Sequence, residues 1–141
     1  INYFMQQHSD ILELLPFCPE VAIGLSVPRA KIQLQQEKDK TIRVVGVENH
    51  RLDVTSELQS YAERFLLQQP DIRAYIVKSK SPSCAYQSSP VFFGTKQTGL
   101  SSGMFVQTLK KIKSELLIIE ETQLDSEQAC LTLLQQIQKL C

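Results

Sequence analysis

Two short segments place thiols beside carboxylate and hydroxyl groups. Cys18-Pro19-Glu20 carries a thiol and a carboxylate within one turn, and Ser81-Pro82-Ser83-Cys84 carries two hydroxyls and a second thiol, 66 positions after the first. Thiolates are soft ligands that select zinc, copper(I) or iron–sulfur clusters, and a carboxylate next to such a site can transfer protons. Free cysteine is also among the most buried residue types, so the residues alone favour two purely structural cysteines, with a metal or cluster site as the alternative.

The remaining candidate ligands do not form a zinc-finger pattern. No Cys-x-x-Cys pair exists, and His8 and His50 have no partners at ligand spacing. Cys130 and Cys141 fall on the apolar face of a predicted C-terminal helix, where we expect them to pack rather than to bind a metal. A thiol redox enzyme is a further alternative, and it requires two cysteine Cα atoms within about 7 Å of each other.

The segment Gly99–Gly103 matches the Gly-x-Ser-x-Gly motif of hydrolases. That motif needs a strand leading into the serine and an acid and a histidine downstream, whereas residues 85–101 suggest a loose stretch and both histidines lie upstream. We therefore predict a helix N-terminus capped by Ser101 or Ser102, whose free amides at Gly103 are able to bind an anion or a polar substrate edge. Two lysines can add positive charge to the same crevice: Lys78 and Lys80.

Short buried strands alternate with amphipathic helices along the chain. The predicted buried strands are 14–17, 74–77 and 116–119, and a solvent-facing hairpin is predicted with strands near 32–34 and 42–47. The predicted helices are 3–13, 54–66 with Asp53 or Thr55 as cap, 104–112, and 125–141 opened by Asp125. This alternation predicts one α/β domain over 1–141, a three-layer Rossmann-like fold with a short, mostly parallel sheet and an inserted β-hairpin. In such sheets the ligand crevice lies outside the carboxyl ends of the strands, so both cysteine loops are expected to converge there.

Composition narrows the function classes. The 141 residues contain 15 Lys+Arg and 15 Asp+Glu, so no global electrostatic field draws the protein to nucleic acid or to an anionic membrane. The apolar fraction of 43% is typical of soluble domains, and no apolar run approaches the roughly 18 residues of a membrane span. Four irregularly spaced cysteines fit a reducing cytoplasm better than a disulfide framework. The start has neither an initiator Met nor a signal-peptide pattern, so we expect the chain to begin inside its gene product.

The segment Phe17–Arg29, FCPEVAIGLSVPR, followed by Lys80–Cys84, KSPSC, resembles the thiouracil desulfidase family of bacteria. The order of other features agrees with that family over about residues 1–125: a hairpin, a helix start at Asp53-Val54-Thr55, a strand before the second cysteine motif, a helix start at Gly103-Met104-Phe105, and a strand ending in Glu120-Glu121. Details of the first segment resemble the branch in which this domain is fused to a second, helical domain. That partner domain is not in this chain.

The resemblance implies a [4Fe–4S] cluster held by three cysteines. Its open iron binds the sulfur of a thiolated base or nucleoside, such as 2-thiouracil, and the sulfur is released as sulfide. By position in the motifs, Cys18 and Cys84 are cluster ligands, Glu20 is the acid/base residue, and Ser81 is the hydroxyl that orients substrate or water. To these we add two candidate substrate-binding residues: Ser83 and Gly103.

Two departures from the family pattern matter. The family's first cysteine lies in a Ser-x-Cys-Leu-Leu-Gly segment at the end of an N-terminal strand, which would fall before Ile1. We therefore expect a domain truncated at its N-terminus, with an unpaired strand edge, no complete cluster and no activity as this chain alone. The family also has glycine where this chain has Ala85, which costs about 1 kcal/mol if the backbone there needs a positive φ. The alternative function is a non-catalytic ligand-binding or interaction module with the same fold.

Overall fold

Six strands and four α-helices occupy residues 8, 10–25 and 27–140, the part of the chain that this computed structural model describes. The strands are β1 Ile32–Gln36, β2 Ile42–Gly46, β3 Ala74–Val77, β4 Ser89–Phe93, β5 Lys96–Ser101 and β6 Leu117–Glu120. The helices are α1 Pro19–Ala22, α2 Thr55–Gln68, α3 Met104–Ile112 and α4 Glu127–Lys139, with a 3₁₀ turn over Glu121–Gln123. The helices predicted from 54 and from 104 and the strand predicted over 74–77 are confirmed.

The strands form two sheets. The larger has the order β2-β1-β4-β5, in which β1 pairs in parallel with β4 and antiparallel with β2, and β5 pairs antiparallel with β4. The smaller consists of β3 and β6, which pair in parallel. Helices and sheets together confirm the predicted α/β class, and the predicted hairpin is present as β1–β2.

The main core joins both sheets to α2 and α3. Leu34 of β1 and Val44 of β2 are fully buried in it, so the hairpin is not solvent-facing as predicted but covers the core with one face. The β3–β6 pair has alternating faces, because Val77 and Ile118 belong to the main core while Ile76 packs on a second cluster beneath α4. The β3–β6 pair therefore lies between α4 on one side and α2 and α3 on the other, which gives three layers.

The segment before Cys18 is not a strand, contrary to the strand predicted over 14–17. Leu15 is 54% exposed, and within the described ranges no backbone hydrogen bond ties residues 13–17 to either sheet. Pro16 has no amide hydrogen with which to join a β-ladder. The segment is held instead by Phe17, whose ring packs against the main core. Cys18 thus follows an irregular segment rather than a buried strand.

Residues 85–101 are not the predicted loose stretch, because they contain the hairpin of β4 and β5. Burial gives no periodic signal in β5, since its first five residues, 96–100, are all exposed. A strand does therefore lead into Ser101, and that part of the argument against the hydrolase motif is wrong. The two histidines of the sequence still precede the motif rather than follow it.

Helix termini differ from the predicted caps. The observed N-cap residues are Val54 for α2, Gly103 for α3 and Ser126 for α4. They replace the predicted Asp53 or Thr55, Ser101 or Ser102, and Asp125. The hydroxyl of Ser102 serves the neighbouring loop instead, because it accepts a hydrogen bond from the Gln87 amide at 3.0 Å. Of the three N-cap residues, only Ser126 of α4 caps its helix with its own side chain, because its Oγ accepts from the Ala129 amide at 3.1 Å. At α2 the predicted Asp53, one position before the N-cap, accepts from the Thr55 amide at 3.0 Å.

The predicted helix over 3–13 lies mostly outside the described residues, as does Cys141. Its last part is visible, because the amides of Ile11 and Leu12 donate to the carbonyl oxygen of His8 at 3.1 and 3.0 Å. Within the described ranges, none of the helices combines the length and the apolar character that a bilayer span requires.

Candidate active site

The thiol of Cys18 stands at the start of α1. Cys18 is the N-cap residue with extended backbone angles, and its carbonyl oxygen accepts from the Ala22 amide at 3.0 Å. Pro19 suits the first helical position, because the missing amide hydrogen would have no helical partner there. Cys18 and Glu20 therefore belong to one turn, as the spacing predicted.

Aromatic stacking fixes the chain immediately before Cys18. The ring of Phe17 stacks on Phe65 of α2 with a centroid distance of 4.4 Å and on Tyr75 of β3 at 5.2 Å. Phe105 of α3 meets the same ring edge-on at 5.5 Å. Such aromatic pairs contribute about 0.5–1.5 kcal/mol each beyond the area they bury. The stack links the Cys18 segment to β3, the strand that leads into the second cysteine loop.

The loop after β3 carries Cys84 in a turn built by Ser81. Ser81 Oγ accepts hydrogen bonds from the amides of Ser83 at 3.2 Å and Cys84 at 3.1 Å, and the Ala85 amide donates to the Ser81 carbonyl oxygen at 3.1 Å. Ala85 is fully buried and is not among the described residues with a left-handed backbone. Alanine therefore fits this position without the strain that a positive φ would have caused.

Two carboxylates that follow each other at the end of β6 hold this loop. Glu121 accepts from the Ser79 amide at 2.6 Å and from the Ser79 hydroxyl at 3.0 Å. Glu120, which is 8% exposed, accepts from the Tyr86 amide at 2.9 Å and from the Ser88 hydroxyl. Hydrogen bonds to ionised acceptors are about twice as strong as neutral ones. The loop is thus tied to β6 on both sides of Cys84.

Gly103 lets the start of α3 approach the same loop closely. A Cβ atom at this position would lie 2.5 Å from the Cys84 amide nitrogen and closer still to the Ser83 carbonyl group. The amides of the helix start are occupied by loop carbonyl groups: Gly103 donates to Ala85 at 2.8 Å, Met104 to Pro82 at 2.9 Å and Phe105 to Ser83 at 3.0 Å. The prediction that these amides are free for a ligand is therefore wrong, and the observed contacts of Gly103 are with the loop.

Glu20 joins the two cysteine segments. Its Oε1 accepts a hydrogen bond from the Ser83 hydroxyl at 2.8 Å, and its Oε2 forms an ion pair with Arg29 Nε at 2.6 Å. Arg29 also donates from Nη2 to Cys18 Sγ at 3.8 Å. Ser83 is fully buried, so the bond to Glu20 satisfies a hydroxyl that is removed from water. The structure thus brings together Cys18, Glu20, Ser81, Ser83 and Cys84.

The Cys84 thiol has a perturbed acidity. Burial raises its pKa to about 11, and the Glu20 carboxylate and the Cys18 thiol act in the same direction, against hydrogen bonds with Tyr75 and Ser81. Burial also raises the pKa of Tyr75, and Cys84 and Cys18 add to that effect. By itself the Cys84 thiol is neutral at pH 7, whereas a bound metal deprotonates a coordinating thiol.

Two side chains of the site are suitable ligands for a soft metal. Cys18 and Cys84 are free, half-buried thiols on adjoining segments. Cys130 is buried in the cluster beneath α4, as the helical pattern predicted, and is not part of this group. In the part of the chain that the structure describes, no three His, Cys, Asp or Glu residues are placed to hold a metal ion together. The structure therefore provides two thiols toward the three-cysteine set that the resemblance implies.

A cavity of about 400 Å³ opens beside Glu20. Arg29 and Lys80 line it together with Glu20, and Ile32 and Phe92 contribute apolar wall. Lys80 thus brings positive charge to the cavity, whereas Lys78 is not among the residues of its wall. A volume of this order lies near the lower end of the range of small-molecule sites, about 300–1,000 Å³.

Four residues outside the predicted set shape the site: Arg29, Tyr75, Glu120 and Glu121. Position in the chain was a signal for the first two, because Arg29 ends the segment that resembles the family and Tyr75 lies in the strand before the second cysteine loop. Glu120 and Glu121 were noted only as the end of a strand in the family's order of features, and their contacts with the loop had no local signal. Their partners lie 32 to 42 positions earlier in the chain, so only the parallel pairing of β3 and β6 brings them together.

Comparison with known proteins agrees with the geometry. The family model described as 2-thiouracil desulfurase matches residues 1–121. The solved structure of the [4Fe–4S]-dependent thiouracil desulfidase TudS is similar with a TM-score of 0.64 and 27% sequence identity, over 94% of this chain and 83% of that one. No curated protein matches the chain. The match over residues 1–121 shows that this chain belongs to the 2-thiouracil desulfurase family.

Proposed function

We propose that this domain removes the sulfur of a thiolated pyrimidine such as 2-thiouracil as sulfide, with a [4Fe–4S] cluster that Cys18 and Cys84 help to hold. The observation that carries the proposal is the hydrogen bond of 2.8 Å between Ser83 Oγ and Glu20 Oε1, because it joins the two thiol segments through a carboxylate. Family membership and the similarity to a [4Fe–4S]-dependent thiouracil desulfidase support both the reaction and the cofactor.

The proposed reaction exchanges one sulfur atom for one oxygen atom without a net change in oxidation state. Water supplies the oxygen, the C=S group of the base becomes C=O, and the sulfur leaves with the two protons of that water as hydrogen sulfide. When bound, the cluster supplies a Lewis-acidic iron toward the substrate sulfur. The protons must then be moved by groups of the protein or by solvent.

Glu20 is the group placed to move protons. Arg29 holds one of its carboxylate oxygens and Ser83 holds the other, so the carboxylate is fixed in one orientation at the wall of the cavity. A carboxylate accepts up to about four hydrogen bonds, so each oxygen keeps capacity to accept a proton from water. In this role Glu20 takes a proton from the attacking water and returns it to the departing sulfur.

Ser81 is placed to orient rather than to react. Its Oγ accepts two backbone amides, at 3.2 and 3.1 Å, and these contacts fix the hydroxyl oxygen. A hydroxyl that accepts two hydrogen bonds still has its own proton to donate. In the proposed reaction that proton is donated to the substrate or to the attacking water.

The proposal is tested by anaerobic reconstitution of the full-length protein with iron and sulfide, followed by incubation with 2-thiouracil. We expect visible charge-transfer absorbance from the cluster and equal amounts of uracil and sulfide in the product mixture. A reconstituted protein that carries the cluster and releases no sulfide contradicts desulfurisation. A colourless protein that binds 2-thiouracil without converting it supports the alternative, a non-catalytic binding module.

A further inference from the structure

The hydroxyl of Tyr75 is directed at a cysteine sulfur. Tyr75 Oη lies 3.7 Å from Cys84 Sγ, within hydrogen-bond distance for a sulfur acceptor. Its ring is held on one side by the stacked ring of Phe17, with an interplanar angle of 16°, and edge-on by Phe105, with a centroid distance of 6.1 Å. Because Phe17 and Phe105 hold the Tyr75 ring from two sides, the ring cannot turn its hydroxyl toward another acceptor without breaking these contacts.

A sulfur atom is an unusual partner for a hydroxyl in this setting. Largely buried tyrosine hydroxyls usually find a hydrogen-bond partner, yet a neutral thiol is only a weak acceptor. A thiolate carries a full charge, and hydrogen bonds to ionised acceptors are about twice as strong. A hydrogen bond from the Tyr75 hydroxyl to Cys84 Sγ is therefore stronger when Cys84 is metal-bound and deprotonated than when it is a free thiol.

The same ring also connects to the other thiol. Phe17 directly precedes Cys18, and it stacks on the Tyr75 ring with a centroid distance of 5.2 Å. Tyr75 thus contacts the Cys18 segment through its ring and Cys84 through its hydroxyl. One side chain therefore contacts both cysteine segments.

We propose that Tyr75 is a positioning residue that donates a hydrogen bond to the metal-bound Cys84 sulfur and so orients this ligand and stabilises its charge; the inference rests on the proposed function. Partners of this kind, one step outside the ligands, typically change metal affinity 10–100-fold when removed. Hydrogen bonds to the sulfurs also set the reduction potential of an iron–sulfur cluster. A donated hydrogen bond favours the more electron-rich state, so its loss lowers the potential.

Tyr75→Phe removes the hydroxyl and keeps the ring in the stack. The matched control is Tyr61→Phe, which removes a hydroxyl from the same aromatic cluster, where Tyr61 contacts Phe17, Phe65 and Phe105 through its ring. The first probe is Cd²⁺ alone, added anaerobically to the metal-free protein and followed by thiolate charge-transfer absorbance. We expect the Kd of Tyr75→Phe for Cd²⁺ to rise 10–100-fold and that of Tyr61→Phe to stay at the wild-type value.

The second probe is the reduction potential of the reconstituted cluster, which we expect to be lower in Tyr75→Phe than in the wild type and in Tyr61→Phe. Unchanged Cd²⁺ affinity in Tyr75→Phe overturns the inference, and so does an equal loss in Tyr61→Phe, since that would be an effect of packing. A wild-type protein that binds no Cd²⁺ through Cys18 and Cys84 overturns it as well. If no cluster assembles in the full-length protein, the proposed function fails while the Cd²⁺ measurement still decides the role of Tyr75.

Discussion

Replacing Gly103 by alanine should damage the site and the stability of the fold together. The added Cβ would lie 2.5 Å from the Cys84 amide nitrogen, and ordinary contact begins at 3.4 Å, so the helix start and the loop must separate by at least about 0.9 Å. Both clashing groups, the Ser83 carbonyl and the Cys84 amide, are backbone and cannot turn aside as a flexible side chain would. The separation has to occur where α3 meets the turn that carries Cys84.

The expected cost follows from the contacts that this separation strains. Overpacking by one methyl group typically costs about 1–3 kcal/mol. The helix start also makes three amide-to-carbonyl hydrogen bonds to the loop, each of which contributes about 1 kcal/mol. We therefore expect about 2–4 kcal/mol of lost stability, which for a domain of this length corresponds to a decrease in Tm of about 6–12 °C.

Thermal unfolding followed by circular dichroism measures this shift, and Gly99→Ala is the matched control. A Cβ at Gly99 meets no atom within 4 Å and no left-handed backbone is present there, so this variant should unfold within about 2 °C of the wild type. Iron uptake should also fall in Gly103→Ala, because the clash displaces Cys84. A Gly103→Ala protein with wild-type Tm and iron content refutes the claim that close backbone approach positions the loop.

Three further predictions concern the site and the acid stability of the fold. Glu20→Gln should keep the cluster absorbance and lower sulfide release roughly 10²- to 10⁴-fold, and unchanged turnover would remove Glu20 from the mechanism. Cys18→Ser and Cys84→Ser should lose iron, because a hydroxyl is a poor substitute for a thiolate. Cys130→Ala should keep both iron and activity, since Cys130 packs in the cluster beneath α4. Analysis of the iron content distinguishes these outcomes. Burial alone raises the pKa of Asp53, but hydrogen bonds from Arg43 at 2.5 Å and Thr55 at 2.6 Å outweigh it and leave this pKa below its ordinary value. The stabilising effect of the ionised Asp53 is therefore complete above its ordinary pKa and disappears as the pH falls through the lowered pKa of the folded protein. In urea unfolding, the difference in stability between wild type and Asp53→Asn should shrink between pH 7 and pH 2. A constant difference would contradict this account.

The residues that carry chemistry could be read from the sequence because their spacing is local. Cys18 and Glu20 lie two positions apart, and Ser81 and Cys84 lie three positions apart, so each group is recognisable without knowledge of the fold. The Ser83–Glu20 bond spans 63 positions and has no local spacing signal. It follows only from the way in which the strands and the aromatic stack bring the two segments together.

The error at Gly103 has a related cause. A helix start between small residues predicts free amides, but their carbonyl partners lie 18 to 22 positions earlier, in the loop that crosses the helix terminus. Sequence patterns identify the amides and do not identify what approaches them. The same limit explains why Tyr75 was interpreted only as a residue of a buried strand.

Helices and strands were predicted correctly where buried residues recur at a regular spacing along the sequence, and incorrectly where they do not. Helix α2 was predictable because its buried positions, among them Leu58, Ala62 and Phe65, recur every three to four residues. The exposed strand β5 has no such period, because its partner β4 supplies the hydrogen bonds while its side chains face solvent. Residues 14–17 have the apolar composition of a strand, yet no strand among the described residues pairs with them.

The way in which Phe17 anchors its segment has a consequence for local unfolding. Residues 13–17, all within the described ranges, make no backbone hydrogen bond to a sheet, so the segment is held to the core through the side chain of Phe17. Withdrawal of one ring therefore detaches the segment at a free energy below that of global unfolding. Cys18 becomes accessible in that open state while β3 and Cys84 stay in place. Amide hydrogens of 13–17 should accordingly exchange with solvent much faster than those of β3.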